Sequence, residues 1–368
     1  MKKNPFVWHV VEQFVIGLMS GSSLDGIDLA YCHIKEKSGQ FACDILAADC
    51  IAYSEEWQSK LRLLPAVSAR ELWQAHAAIG KLLGETVVHF LQTHSIGKVD
   101  FVASHGHTVF HFPNEGFTTQ IGDGAALATA CKLPVVCDFR TTDVAHGGTG
   151  APIVPIADLL LYKEYTFCLN LGGIANISAK SGSNIVAYDI APCNQLLNFF
   201  AQQAGKEFDN EGYMARKGNI SNVLLQQLQE LEYHKMGAPK SLDNGFSKTQ
   251  VLPLFTNMKV EDKLRTAVEY IANVLAMELQ LAAEKVGANL HTAQMLATGG
   301  GAFNTFLMER IAALTPVKVI VPPTQVVKFK EAQAMALMGF LRWHGRANVL
   351  CAVTGANKNT INGAIYLG

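Results

Sequence analysis

Gly17-Leu-Met-Ser-Gly-Ser-Ser-Leu-Asp-Gly-Ile-Asp28 joins an apolar run over 15–18 to a second over 27–34. A third apolar segment, 45–53, extends the pattern to a β-meander whose first turn is rich in glycine and serine. The same grammar returns in the second half. Residues 166–171 are apolar, Gly172-Gly173 makes a turn, and 174–179 is strand-like. Two strand–glycine turn–strand units suggest a duplicated domain. A third glycine turn, Thr298-Gly-Gly-Gly-Ala-Phe-Asn304, ends a strand over 295–298.

Glycine lets a backbone approach a ligand closely and turn its N–H groups toward an anion. The first turn adds hydroxyls and the carboxylates Asp25 and Asp28, and a carboxylate can organise a hydrated magnesium ion. The second turn, Asn170-Leu-Gly-Gly-Ile-Ala-Asn176, adds two asparagines. Together the three turns suit a nucleoside triphosphate. Other sites fail on spacing. There is no G-x-x-x-x-G-K-[ST], no G-x-G-x-x-G in the first turn and no G-x-S-x-G.

Between the turns, a helix is expected over about 70–94, where Leu72, Ala75, Ile79, Leu82, Thr86 and Phe90 keep helical spacing. Strands are expected over 99–104 and 134–137, with a short helix over 124–131. Leu264, Val268, Ile271, Leu275, Leu279, Ala282 and Val286 mark a long helix. Phe303, Leu307, Ile311 and Leu314 mark the next, and 331–344 a last one. Alternating strands and helices in two halves give a two-lobed α/β protein, divided as 1–138 and 139–368.

The chain has 368 residues, with 30 Lys+Arg against 31 Asp+Glu, 49% hydrophobic and 17% charged residues. That length suits two domains. The charge balance argues against nucleic-acid binding, which shows as a basic excess. The eight cysteines include no C-x-x-C pair and read as free thiols of a reducing compartment. The uncharged window 286–308 holds three threonines, two asparagines and a triple glycine, too polar for a bilayer. A cytoplasmic protein is expected.

Polar residues at strand ends supply further candidates. His105-Gly-His107 could hold zinc through alternate strand positions. Without more ligands at metal-site spacing, hydrogen bonding to a polar substrate is the expected role. Arg140, after Asp138-Phe139, could clamp a carboxylate or fix its own loop through an ion pair. Asp189 could anchor a helix start or act as a general base. Glu331 reads as a first-turn helix acid.

Taken together these motifs resemble the anhydro-N-acetylmuramic acid kinase family. The resemblance rests on Gly17-x-Met-Ser-Gly-Ser-Ser-x-Asp-Gly-x-Asp28, Ser-His-Gly-His-Thr108, Gln120-Ile-Gly122, Asp138-Phe-Arg140, Gly-Gly-Thr-Gly-Ala-Pro152, Asn-Leu-Gly-Gly-Ile-Ala-Asn176, Ala-Pro-Lys-Ser241, Gly-Gly-Gly-Ala-Phe-Asn304 and Val-Thr-Gly-Ala356, in order along nearly the whole chain. It implies the actin-like ATPase fold, a duplicated ribonuclease H-like fold, with ATP and Mg2+ as partners and usually a homodimer. It implies a kinase that opens the 1,6-anhydro bridge of a cell-wall sugar and phosphorylates it, giving N-acetylmuramic acid 6-phosphate in peptidoglycan recycling. By position it assigns Gly21, Ser22, Ser23, Leu24, Asp25, Gly26, Ile27, Asp28, Asn170, Gly172, Gly173, Gly299, Gly300 and Gly301 to ATP, with Asp25 toward the metal through water. It assigns Asp189 as catalytic base, Glu331 as an acid near the sugar, and His105, Arg140 and Asn176 to substrate. The chain departs from the family pattern at His107, Thr141, Thr142, Thr149, Ala191 and Cys193. A kinase of the same fold for another anhydro- or simple sugar, and a non-catalytic nucleotide-binding relative, are the competing readings.

Overall fold

The computed structural model describes residues 10–21, 24, 26–182, 184–242 and 245–368. The chain forms two compact units, one of residues 1–161 with 329–368, the other of 162–328. The division expected at 138/139 does not coincide with these units, since the last forty residues return to the first one.

Among the described residues, the first unit carries a seven-stranded sheet. Its strands are β1 (Val11–Ser20), β2 (Gly26–Lys37), β3 (Gln40–Ala52), β4 (Phe101–Phe112), β5 (Phe117–Ile121) and β6 (Val135–Cys137). The second unit carries five, β7 (Phe167–Leu171), β8 (Ile174–Ser181), β9 (Asn184–Pro192), β10 (Gln294–Thr298) and β11 (Lys318–Ile320). The C-terminal strand β12 (Ala364–Tyr366) pairs antiparallel with β6 in the first sheet. In the first unit β3-β2-β1 is an antiparallel meander, and β4 and β6 follow β1 in parallel. In the second, β9-β8-β7 is the meander, and β10 and β11 follow β7 in parallel. The order 3-2-1-4-5 thus occurs twice with the same strand directions. This is the ribonuclease H-like sheet, duplicated as in actin-like ATPases.

Alternation along β1 shows why its sequence is an unbroken apolar run. Val15 joins one core with Ala30, Ala103 and Val136, and Ile16 and Leu18 join another with Leu29 and Val102. A sheet covered on both faces has no polar side. One face packs on Thr324–Trp343, and the other on Ala69–Thr93 and Gly124–Cys131. A capping box opens Ala69–Thr93, in which Glu71 N–H donates to Ser68 Oγ and Ser68 N–H to Glu71 Oε2. In the second unit Val260–Val286 covers the sheet with Leu264, Val268, Ile271, Leu275 and Leu279 fully buried.

Three expectations need correction. Gly17 sits inside β1, not in the ligand turn. Its missing side chain lets the backbone of Ala332 and Ala336 lie directly on the sheet. Glu331 is not a first-turn acid, because its helix starts at Thr324. Phe303 and Leu314 are 39% and 36% exposed and lie outside the buried apolar face of Thr305–Leu314 formed by Phe306, Leu307 and Ile311.

A methyl at position 17 would overlap the Ala332 carbonyl oxygen, which is backbone and cannot move aside. Gly17→Ala should therefore destabilise the first unit by about 3 kcal/mol in denaturant unfolding. Gly97→Ala, at an exposed site with open space around it, should stay within about 0.5 kcal/mol of wild type.

Candidate functional site

Parallel pairing of β7 with β10 puts Asn170 beside Thr298, so the second and third glycine turns leave the same edge of one sheet. They touch. A Cβ on Gly299 would strike Asn170 Oδ1 at 2.5 Å and the Leu171 carbonyl at 2.8 Å, and one on Gly301 would meet Leu171 Cβ at 2.8 Å. Gly299 also has φ +81°. These two glycines are explained by packing. Gly173 is tight against Gln195, with a Cβ falling 3.1 Å from its Cγ. Gly172 and Gly300 are different. Neither has a left-handed φ, and a Cβ on either would meet nothing closer than 3.5 Å. Fold alone does not require glycine at these two positions, whereas a ligand lying against the backbone does.

The start of helix Asn194–Gln203 is fastened over the same turn. Cys193 and Gln195 N–H groups donate to the Gly173 carbonyl at 2.9 and 3.1 Å, and Asn194 N–H to that of Gly172 at 3.1 Å. The Asn194 amide donates to the Leu171 carbonyl at 3.0 Å. Ala191 and Cys193, two of the departures from the family pattern, are fully buried in the core and offer no side chain to a ligand. Burial pushes the Cys193 thiol up to about 12, which keeps it protonated and unreactive.

Asp189 lies within β9, several residues before helix Asn194–Gln203, so it is not that helix's anchor. Its Cα partner on β8 is Asn176, whose partner on β7 is Asn170. Cross-strand partners share a face, so Asn170, Asn176 and Asp189 form one polar row. A register shift beside Asn176 makes a β-bulge there, a device that re-aims side chains near sites. On the opposite face Tyr188 and Ile190 are buried in the core. The Asp189 carboxylate accepts the Leu242 N–H at 2.9 Å, and its carbonyl accepts the Tyr233 hydroxyl at 2.7 Å. Burial raises its pKa above the ordinary aspartate value, and the Leu242 N–H partly opposes that.

In the first unit, Ser22, Ser23 and Asp25 lie outside the described residues. Gly26, Ile27 and Asp28 are in β2, opposite Ala52, Ile51 and Cys50, so the turn is shorter than the motif suggests. Leu24 N–H reaches the Gly21 carbonyl at 3.5 Å, and the Leu24 side chain is buried. Just before the turn, Ser20 Oγ lies 2.8 Å from the Tyr53 hydroxyl and 3.0 Å from His107 Nδ1.

Arg140 Nε–H donates to His105 Nε2 at 2.8 Å, and Nη1–H to the Gly150 carbonyl at 2.6 Å. The first bond fixes the tautomer, leaving His105 Nδ1–H to donate to the Gly106 carbonyl at 3.0 Å. Burial and the Arg140 charge lower His105 to about 3, so it is neutral across physiological pH. Burial lowers Arg140 to about 10 against the supporting carboxylates of Glu331 and Asp143. Arg140, His105 and Glu331 therefore belong to one cluster. Both His105 nitrogens are engaged, which removes the zinc reading of His105-Gly-His107. Among the described residues no group of three metal-ligating side chains gathers. The 147–152 turn is held by fully buried Asp143, which accepts from Gly150 N–H and Thr354 Oγ1 at 2.8 Å each.

A cavity of about 500 Å³ opens beside this cluster. Trp73, Phe110 and Tyr366 supply rings, and His105, Gln120 and Asp138 supply polar atoms. Thr141, another departure, donates its hydroxyl to Asp138 Oδ1 at 2.5 Å in the same wall. Trp73, Tyr366, Tyr233 and Leu242 were not legible as site residues. The first two come from distant helix and C-terminal segments, and Leu242 contributes only its backbone.

The sequence profile described as anhydro-N-acetylmuramic acid kinase matches residues 13–368. The anhydro-N-acetylmuramic acid kinase of Vibrio cholerae serotype O1 is 33% identical, over 96% of this chain and 98% of that one. That of Mannheimia succiniciproducens is 33% identical over 97% and 100%, and that of Shewanella sp. (strain MR-4) 34% over 96% and 99%. With duplicated sheets, converging glycine turns and end-to-end similarity in agreement, the chain belongs to the anhydro-N-acetylmuramic acid kinase family.

Proposed function

We propose that this protein uses ATP and water to convert 1,6-anhydro-N-acetylmuramic acid to N-acetylmuramic acid 6-phosphate, a step of peptidoglycan recycling. The observation that carries the reading is Asp189, a half-buried carboxylate of raised basicity held by one backbone N–H in a row with Asn170 and Asn176. Asp189 takes a proton from the water that attacks the anomeric carbon. The bond between that carbon and the bridging O6 breaks, and O6 receives the γ-phosphoryl group as ADP leaves. One proton is released for each sugar phosphorylated.

The nucleotide reading is supported by Gly172 and Gly300, where the backbone is bare without a packing reason. Asn170, Gly173, Gly299 and Gly301 shape that surface, and Gly21, Leu24, Gly26, Ile27 and Asp28 belong to the first turn and its strand. Mg2+ would be held by Asp25 through water, supplying charge neutralisation to the phosphates. The sugar reading is supported by the cavity, whose aromatic rings suit the C–H faces of a pyranose and whose Gln120, Asp138 and Thr141 suit its hydroxyls. His105, Arg140 and Asn176 would act in sugar binding and Glu331 as an acid. All eight cysteines are free thiols, which supports a reducing, cytoplasmic setting. A homodimer is the expected assembly, measurable by light scattering.

A second reading changes the sugar. Among the described residues no Lys or Arg lines the cavity, Asp138 does, and Arg140 is committed to His105 and Gly150. Such a wall suits a sugar without the lactyl carboxylate. A panel of anhydro- and simple sugars with coupled ADP detection decides. Preference for anhydro-N-acetylmuramic acid supports the first reading, and preference for a sugar without the carboxylate supports the second.

Asp189→Asn should lower kcat roughly 10²- to 10⁴-fold with ATP affinity retained. It should also raise the melting temperature at neutral pH. Because the folded-state pKa is raised, folding favours the uncharged carboxyl, whose stabilising contribution is lost as pH rises through that pKa. A neutral amide keeps the favoured charge state at all pH values.

In water enriched with ¹⁸O, the label should enter the anomeric hydroxyl and not the phosphate, as read by mass spectrometry of the product. The acid limb of the kcat/KM profile should lie above the ordinary aspartate value and disappear in the residual activity of Asp189→Asn.

A further inference from the structure

Behind Asp189 lies a charged pair that the chemistry above does not use. Lys240 Nζ is 2.6 Å from Glu278 Oε1, and the two side chains are 1% and 3% exposed. The cation also donates to the Tyr233 carbonyl at 3.4 Å and lies 4.9 and 5.6 Å from the ring centroids of Tyr233 and Tyr188. Tyr188 in turn donates its hydroxyl to the Glu278 carbonyl at 3.3 Å.

A buried ion pair is an expensive way to stabilise a fold, since a hydrophobic pair of similar volume does as well or better. What this pair supplies is position. Two residues after Lys240 comes Leu242, whose N–H meets the Asp189 carboxylate at 2.9 Å. The Lys240 carbonyl itself accepts the Asp189 N–H at 3.4 Å, and the Lys285 ammonium holds the Ala238 carbonyl at 3.0 Å. The 238–242 segment has little regular structure of its own, so the buried ammonium is its fixed point. Tyr233 closes the ring by bonding both to Lys240 and to the Asp189 carbonyl.

We propose that Lys240, locked by Glu278, is a positioning residue that sets the Leu242 N–H on the Asp189 carboxylate. The proposal rests on Asp189 being the base. Among the described residues, the ionisable groups around Asp189 in this network are Tyr188 on its own strand, with Tyr233, Lys240 and Glu278 on the elements packed against it. His234 and Tyr270 lie beyond them, His234 held neutral by burial and the Lys240 charge. Tyr188 and Tyr233 are pushed well above their ordinary range by burial and stay neutral. Lys240 and Glu278 neutralise each other, so replacing both leaves the net charge near Asp189 unchanged and isolates the effect of position.

The test is Lys240→Met with Glu278→Leu in the full chain, with folding checked by thermal melting and ATP binding. The Asp189 carboxyl is followed by ¹³C NMR in aspartate-labelled protein, its resonance identified by its loss in Asp189→Asn. The expected result is an upward move of the Asp189 titration, with the acid limb of kcat/KM moving alongside. A one-unit move lowers kcat/KM roughly tenfold at pH values below both limbs. Wild-type titration of Asp189 in the folded double variant overturns the proposal. If the titration moves while the limb stays, positioning stands and the base assignment fails. Should the double variant not fold, Lys240→Gln with Glu278→Gln, which keeps a neutral hydrogen-bonded pair and the same net charge, is expected to give a smaller upward move. No move there overturns the proposal equally.

Discussion

The parallel pairing of β7 with β10 is the constraint on which the second unit's site depends. It fixes Asn170 beside Thr298 and delivers two glycine turns to one sheet edge. In α/β sheets ligands gather at the carboxyl ends of parallel strands, because strand side chains there give way to exposed loop backbone. Gly299 and Gly301 let the turns interlock against Leu171, and Gly172 and Gly300 leave bare backbone beyond them. A single bulky residue at the first pair would separate the turns, and at the second would cover the surface they make.

The same sheet carries Asp189, and the fold trades stability for its basicity. Burying a carboxylate disfavours its charge, and one backbone N–H only partly repays that. Among the described residues, the Leu242 N–H is the donor that meets the carboxylate, and burial outweighs it. The bulge beside Asn176 and the 238–242 segment are the two local irregularities that make this possible. A regular hairpin would place no external N–H against the carboxylate.

Electrostatics divide sharply between structure and ligand. None of the three glycine turns contains Lys or Arg. Among the described residues, the lysines that the fold buries have partners, Lys180 in Cys168 Sγ, Lys240 in Glu278 and Lys330 in Asp158, and half-buried Arg140 is held by His105 and Gly150. On the proposed nucleotide reading, the phosphates would be met at these turns by backbone N–H groups and a hydrated metal. A chain of net charge −1 is consistent with a protein that holds anions mainly by dipoles.

The apolar alternation and the glycine punctuation made the two meanders, the helices over 69–93 and 260–286 and the repeat of the motif legible from the sequence, because strand and helix periodicities are local properties. The same local signals misplaced Gly17 and the start of the Glu331 helix, since Gly17 is set by a long-range contact with Ala332 and the helix already starts at Thr324. The sequence by itself determined which residues end strands, and hence which backbone can face a ligand. Only tertiary structure decided that Arg140 holds His105 and the 147–152 turn, that Asp189 meets Leu242, and that Trp73 and Tyr366 share a cavity wall. Those partners are separated by ten to nearly three hundred residues, and no local propensity encodes a contact that exists only once sheets have paired and helices have packed.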